Sequence, residues 1–437
     1  MISTIFRKCN GYSSIILDDS LLKIGAFRLF ILLLLLQIMA DSELLQVVTG
    51  NSKFANKFYN ILAEEEKGKN VFFSPISAHI VLSMAYQGAA GTTADAFSSS
   101  LHLGNENIAA TGYHHVMSSL NSIKDVKLHI ANKIYVMQGF PLKEKFLKSA
   151  SELFLSETES LNFAESENSA RKINGWVEGK TNSKIKDLID AGCLDALTRL
   201  VLVNAIYFKG NWAQQFKKEH TMKEKFYISE AESVDCHMMH LTRRFRYRAD
   251  DHLQAQILEM KYTNENISMV IILPFKRTGI EELEKKLVDV DFATLSEGMR
   301  SMEVEVSLPK FKVETTMDLQ SILTRMGLGV IFDQMKANFS EISNSDEQLY
   351  VSKAIQKAFI EVNEEGAEAA AATVAIGTFF RSLPIKTQKV RFVVNHPFFV
   401  ILQSWCDVVV LWENNGTIEL ENCYNYYIPI IFNVTCL

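Results

Sequence analysis

Residues Leu200–Trp212 read Leu-Val-Leu-Val-Asn-Ala-Ile-Tyr-Phe-Lys-Gly-Asn-Trp. A run this apolar, with β-branched and aromatic residues and no polar alternation, is a strand buried on both faces. Such a strand needs a layer on each side, and the flanking sequence indicates what supplies them. Ahead of it the apolar spacing is helical: Asn51 to Glu65 (Phe54, Phe58, Ile61, Leu62), Ala78 to Gly88, Lys143 to Leu155 and Glu167 to Glu178, with turn and helix from Thr181 to Ile189. Ser74 and Ser77 suit a capped helix start. Behind it come strands at Phe245 to Ala249, Gln256 to Tyr262, Ile267 to Leu273 and Met302 to Leu308, a glycine-ended helix from Leu319 to Gly327, and a core strand from Phe392 to Leu402. Helices first and strands later, without alternating βα units, give an α+β fold around antiparallel sheets.

A second stretch, Glu361 to Pro384, fits two structures. Ala367 to Ala372 favours helix by propensity. Gly366 and Gly377 bracket the run, and Thr373, Val374 and Ile376 prefer strand. At period 2, Ala367, Ala369, Ala371 and Thr373 share one face and Glu368 falls on the other. A strand so small on its inner face can slip between existing strands without overpacking the core. The residues alone leave helix and insertable strand both open.

The chain has 437 residues, 48% of them hydrophobic, with a net charge of −6. Basic residues are scattered, so neither nucleic acid nor a polyanion is indicated. Leu29 to Leu36 is an apolar core preceded by Lys23 and Arg28 and followed by the small residue Ala40. It is shorter than the roughly 20 residues of a membrane span and reads as a secretory signal. Residues 1–40 are thus expected to be a signal peptide with an extended leading region. Residues 41–437 are then a single secreted, extracellular domain with no membrane attachment after cleavage. The cysteines number six, with no CxxC pair. They predict neither a zinc site nor a disulfide framework. Sequons at Asn266, Asn338, Asn415 and Asn433 are candidate glycosylation sites. His114 with His115, and His237 with His240, read as surface or satisfied histidines, so no metal is expected. No GxSxG, HExxH or P-loop supports an enzyme.

Six segments in order resemble the serpin family, over roughly Asn51 to Leu411: Asn70-Val-Phe-Phe-Ser-Pro-Ile-Ser77, Val203 to Trp212, Leu258-Glu-Met-Lys-Tyr262, Leu308-Pro-Lys-Phe311, Glu364-Glu-Gly-Ala-Glu-Ala-Ala-Ala-Ala-Thr373 and Phe392 to Val400. The resemblance implies three mainly antiparallel β-sheets, about nine helices and an exposed reactive-centre loop, here about 364–384. It also implies inhibition of an extracellular serine protease by a suicide mechanism, by a monomer without cofactor. The protease attacks the loop and is held as an acyl-enzyme while the cleaved loop inserts into the central sheet.

The implied hinge is Glu364, Glu365, Gly366, Ala367, Glu368, Ala369, Ala370, Ala371, Ala372 and Thr373. Non-inhibitory relatives (carriers, storage proteins, chaperones) carry bulky, charged or proline residues there, and none stands on the inward face here. The implied shutter, where the sheet opens, is Ser74, Ser77 and Asn204, with Gln356 where the family commonly has His. Gln still donates and accepts, but a pH response through that position is absent.

The cleaved bond has two readings. Fourteen residues on from Gly366 is Phe380, which gives Phe380–Arg381 and a chymotrypsin-like target. The local pattern favours Arg381–Ser382 and a trypsin-like target. The tail from about 412 to 437 departs from the family, and strand register is expected to lapse after Leu411.

Overall fold

A computed structural model describes residues 19–66, 70–122, 126–264, 266–364, 389–414, 417–427 and 430–434. The order opens with α1 (Asp19–Glu65), β1 (Val71–Phe73), α2 (Pro75–Tyr86), α3 (Gly91–Leu101) and α4 (Glu106–Ser122). β2 (Val126–Met137), α5 (Glu144–Lys148), β3 (Glu157–Leu161) and α6 (Ser166–Lys180) follow. Then come β4 (Leu200–Gly210), β5 (Met222–Tyr227), β6 (Ser233–Asp250), β7 (Ala255–Lys261), β8 (Ile267–Pro274) and α7 (Ile280–Leu287). The last stretch holds β9 (Arg300–Pro309), β10 (Phe311–Asp318), α8 (Gln320–Leu323), β11 (Val351–Val362), β12 (Val390–Val393), β13 (Phe398–Asn414), β14 (Thr417–Tyr427) and β15 (Ile430–Val434). The fold is α+β, as the order of helical and strand patterns predicted.

Five strands form one sheet in the order β10-β11-β4-β2-β3. Ten form a second network, β1-β15-β13-β8-β7-β6-β9-β12, with β14 on β13 and β5 on β6. The strand β6 is 18 residues long and pairs with β5, β7 and β9. It thereby joins what would otherwise be two separate sheets, so the three expected sheets appear as two hydrogen-bonded networks.

The burial of β4 explains its sequence. Leu200, Leu202, Ile206 and Phe208 enter the main core, which also holds Phe54, Phe58, Phe72 and Phe73. Val201, Val203, Ala205 and Tyr207, on the opposite face, enter a second core with Tyr135, Ile173, Val177 and Ile189, beneath α6 and its following connection. Both faces are dry, so both parities are apolar. Every residue of α2 is buried, which is why its apolar residues lack an amphipathic stripe. Its start is fixed by Pro75 in the first turn and by Ser74, whose Oγ accepts from the Ser77 amide at 3.3 Å.

Several elements differ from expectation. The helix read from Leu319 to Gly327 keeps only Gln320–Leu323 as α-helix, then widens through Thr324–Leu328. Gly327 there has φ +109°, a conformation side chains disfavour. The single strand read from Phe392 to Leu402 is two, β12 and β13, separated at Asn395-His396-Pro397, where proline cannot donate to a ladder. Thr181 to Ile189 is irregular, without helix. In the tail, β13 continues to Asn414, pairs with β14, and β15 returns between β13 and β1. Pairing of β13 with β8 ends at Ser404, and past Leu411 β13 is paired, among the described residues, only with β14, after a register shift between Val409 and Leu411.

At the other end, α1 is one helix of 47 residues that contains Ala40. The first described side chain that the fold buries is Leu44, followed by Val47 and Val48. Among the described residues no helix is long and apolar enough to cross a membrane.

Candidate functional site

Strands β4 and β11 lie side by side and run parallel, from Leu200 with Val351 to Phe208 with Ile360. All other neighbours of these two are antiparallel: β10 beside β11, and β2 beside β4. Within this five-stranded sheet two pairings are parallel, β4 with β11 and, at the edge, β2 with β3, and parallel pairing is slightly the weaker kind per residue.

One register row crosses the seam. Met317, Gln356, Asn204 and Asn132 are successive cross-strand partners on β10, β11, β4 and β2. Gln356 and Asn204 are buried, facing Ser74 and Ser77 at the start of α2, which are buried too. The Gln356 Oε1 accepts from the Ser74 amide at 2.9 Å, and its Nε2 donates to the Ser74 carbonyl at 3.0 Å and to the Asn204 Oδ1 at 2.5 Å. Asn204 Nδ2 donates to Ser77 Oγ and to Asn132 Oδ1. The four residues singled out as a shutter therefore meet in one network. Asn132 belongs to it as well and was missed, because nothing marks one Asn in a strand as the partner of another until the register is known. The two amides flanking the seam, Asn204 and Gln356, are thus bonded to each other and to the start of α2, whereas the buried Asn132 Nδ2 has no hydrogen-bond partner.

The upper end of the seam has its own fastening. Trp212 Nε1 donates to the Asn363 carbonyl at 2.9 Å, and the Phe216 amide to the Glu364 carbonyl at 3.1 Å. Trp212 is in turn stacked on Tyr262, with ring centroids 4.5 Å apart. The Glu364 carboxylate is nearly buried, taking Lys310 Nζ at 2.8 Å and Thr221 Oγ1 at 2.8 Å. Burial alone would raise its pKa, but the hydrogen bonds from Lys310 and Thr221 hold the carboxyl below the ordinary range. Below it on the seam, Lys209 Nζ of β4 sits 3.2 Å from Glu361 Oε1 of β11. Burial, reinforced by the Glu361 charge, pushes the neighbouring Tyr207 hydroxyl up to about 12. Of these residues the hinge reading named only Glu364.

The rest of the hinge, Glu365 to Thr373, and the candidate bond residues Phe380, Arg381 and Ser382 lie outside the described residues, as does Asn415. Among the sequons, Asn266 is exposed in a turn. Asn338 is half-buried, its amide donating to Thr93 Oγ1 at 2.9 Å and its Oδ1 accepting from the Ser340 amide at 3.1 Å. The backbone of Asn433 sits in β15 between Val71 and Phe399.

No cluster of three or more His, Cys, Asp or Glu that could hold a metal occurs among the described residues. His114 Nδ1 lies 3.0 Å from the Glu152 carbonyl and His240 Nδ1 3.0 Å from Ser307 Oγ. His79, buried against Phe54 and the Leu101 carbonyl, has its pKa driven by burial down to about 3 and is a neutral core residue.

Comparison with known proteins matches this geometry to a family. The profile described as Serpin (serine protease inhibitor) matches residues 49–411. Alaserpin of Manduca sexta is 39% identical over 324 residues, covering 74% of this chain and 83% of its own. Serpin B8 of Homo sapiens is 38% identical over 358 residues, 81% of this chain and 94% of its own. The crystal structure of Serpin48 from the insect Tenebrio molitor superposes with a TM-score of 0.76 at 32% identity, covering 90% of this chain and 98% of that one. The profile spans most of the sequence and the relatives are matched over nearly their whole length, so the chain belongs to the serpin family.

Proposed function

We propose that this chain inhibits a serine protease as a suicide substrate, with the segment after Glu364 as both bait and spring. The supporting observation is the parallel β4–β11 seam, with β11 ending beside it. A segment that reverses at Asn363–Glu364 would enter the seam antiparallel to β11, and hence antiparallel to β4 as well. One parallel ladder of nine residue pairs would be exchanged for two antiparallel ones. Each added ladder bond contributes about 1 kcal/mol net. Nine or so give on the order of 10 kcal/mol, comparable to the whole stability of a domain. Ala367, Ala369, Ala371 and Thr373 on the inward face are small enough to enter without overpacking.

The chemistry belongs to the protease. Its serine attacks the carbonyl of Arg381, or of Phe380 in the other register. The peptide C–N bond breaks, the new amine takes a proton, and the carbonyl carbon stays bound to the serine as an ester. Insertion carries the ester-linked protease away and distorts its triad and oxyanion hole, so water does not complete the second step. Arg381 directs this chain to a trypsin-like protease and Phe380 to a chymotrypsin-like one.

Ser74, Ser77, Asn204 and Gln356 act as the shutter and Glu364 as the fixed end of the hinge. The apolar segment before Ala40 directs the chain to the extracellular space. Cleavage there leaves every buried side chain from Leu44 onward in place, so residues 41–437 serve as one secreted, monomeric domain.

Incubation with trypsin, chymotrypsin and elastase, followed by denaturing gel electrophoresis, tests this. A covalent band at the summed mass is expected with at least one protease, and mass spectrometry of the released C-terminal peptide identifies the bond. Clean loop cleavage by all three with no such band sinks the proposal.

A further inference from the structure

The inhibitory reading requires the seam to open, and the contacts across it differ in what opening does to them. Trp212 holds a backbone carbonyl, and Asn204 with Gln356 sits deep against α2. Among the described residues, one ion pair crosses from β4 to β11: Lys209 with Glu361. It stands just past the last registered pair of the ladder, Phe208 with Ile360, near the end where β11 finishes at Val362. The two side chains are 19% and 14% exposed. That is buried enough for salt to screen the attraction only partly. It is open enough for both charges to regain water when they separate.

A strand inserted between β4 and β11 sets them two strand spacings apart, about 9.6 Å. At that spacing the 3.2 Å contact is lost for side chains standing upright on the sheet, and remaking it would require both to stretch across the inserted strand. Glu361 also lies 3.9 Å from Lys312. Lys312 is on β10, which stays beside β11 when the seam opens, so that contact survives.

We propose that the Lys209–Glu361 ion pair is a latch that sets the opening rate of the seam, and through it the division of the cleaved loop between trapping the protease and releasing it. The proposal rests on the insertion reading above. Insertion races against hydrolysis of the acyl-enzyme, so a faster seam traps more protease per molecule cleaved. A latch broken only on the way to the inserted state raises the barrier without weakening the product. Lys209 and Glu361 are positioning residues in this account, since neither touches the protease.

The test compares wild type, Lys209→Met, Glu361→Gln, the double variant and Lys312→Met, each checked for cooperative melting. The first readout is the uptake rate of a synthetic peptide with the sequence Gly366–Ile376. The second is the number of inhibitor molecules cleaved per protease trapped, using whichever protease the wild type traps. Each of the two seam variants is expected to take up peptide about three- to tenfold faster, the scale of losing one partly buried pair. Each is also expected to cleave fewer molecules per complex. The double variant should be no faster than the singles, and Lys312→Met should match wild type.

Unchanged rates in Lys209→Met and Glu361→Gln overturn the latch, as do effects that simply multiply in the double variant or an equal gain in Lys312→Met. In those cases the wild type still takes up peptide and still traps protease. A wild type that takes up no peptide and is cleaved without trapping overturns the insertion reading, and the latch falls with it.

Discussion

Replacing Asn204 by Ala probes the buried amide row most directly. The side chain is 1% exposed and makes three hydrogen bonds: it donates to Ser77 and Asn132, and it accepts from Gln356. None of the partners loses its last bond. Ser77 Oγ still reaches Asn132 Oδ1 at 3.4 Å, and Gln356 Nε2 still reaches the Ser74 carbonyl at 3.0 Å. The loss is therefore three net hydrogen bonds at about 1 kcal/mol each, without the added penalty of an orphaned group, or about 3 kcal/mol. For a domain of this size the unfolding entropy converts that to a fall in melting temperature of roughly 4 °C. Circular dichroism melts of the two proteins, with urea midpoints as a second measure, give the number. Asn204→Asp should fall further, because it removes the donor and buries a charge among acceptors. A shift of Asn204→Ala below about 1 °C would refute the premise that this row holds the native sheet together.

Other outcomes follow from the upper end of the seam and from the hinge. A Cβ on Gly210 would lie 2.4 Å from the Tyr262 ring, which is pinned against Trp212. Gly210→Ala should cost about 1–3 kcal/mol in urea unfolding, and an unchanged midpoint contradicts the close approach. The Glu364 carboxyl titrates below its ordinary range, so its contribution is complete above the unfolded value, about 4.3, and disappears as pH falls through the lower folded value. A pH titration of tryptophan fluorescence should show an acid step below about pH 4 that Glu364→Gln lacks. Identical titrations contradict the clamp. Ala367→Arg places a large charged side chain on the inserting face, and should turn an inhibitor into a substrate that is cleaved without trapping. Normal inhibition by that variant rejects the size argument.

What could be read from the sequence followed burial. The strand β4 was legible because both of its faces are dry, and β8 because its apolar residues are nearly continuous, while β7 showed through Ile257, Leu258 and Met260 between Gln256, Glu259 and Lys261. The strand β6 was recognised only near its end, since its exposed polar positions interrupt the pattern over most of its 18 residues. The helices α3 and α4 escaped notice, being rich in Ser, Thr, Ala and His with few large apolar residues. At the site, the family motifs led to Ser74, Ser77, Asn204 and Gln356, but Asn132, Lys209, Glu361 and Lys310 required the register. Their partners lie many residues away, and periodicity carries no information about which distant strands become neighbours.

Trapping by loop insertion requires β4 and β11 to separate. Ile206 and Ala358 are register partners across the seam, and Ile206→Cys with Ala358→Cys would join the two strands by a disulfide. After oxidation, this protein should be cleaved by a protease that the wild type traps, yet form no covalent complex. Reduction should restore trapping. Equal complex formation in the oxidised and reduced states, with the disulfide verified by mass spectrometry, would contradict the claim that the loop enters between β4 and β11.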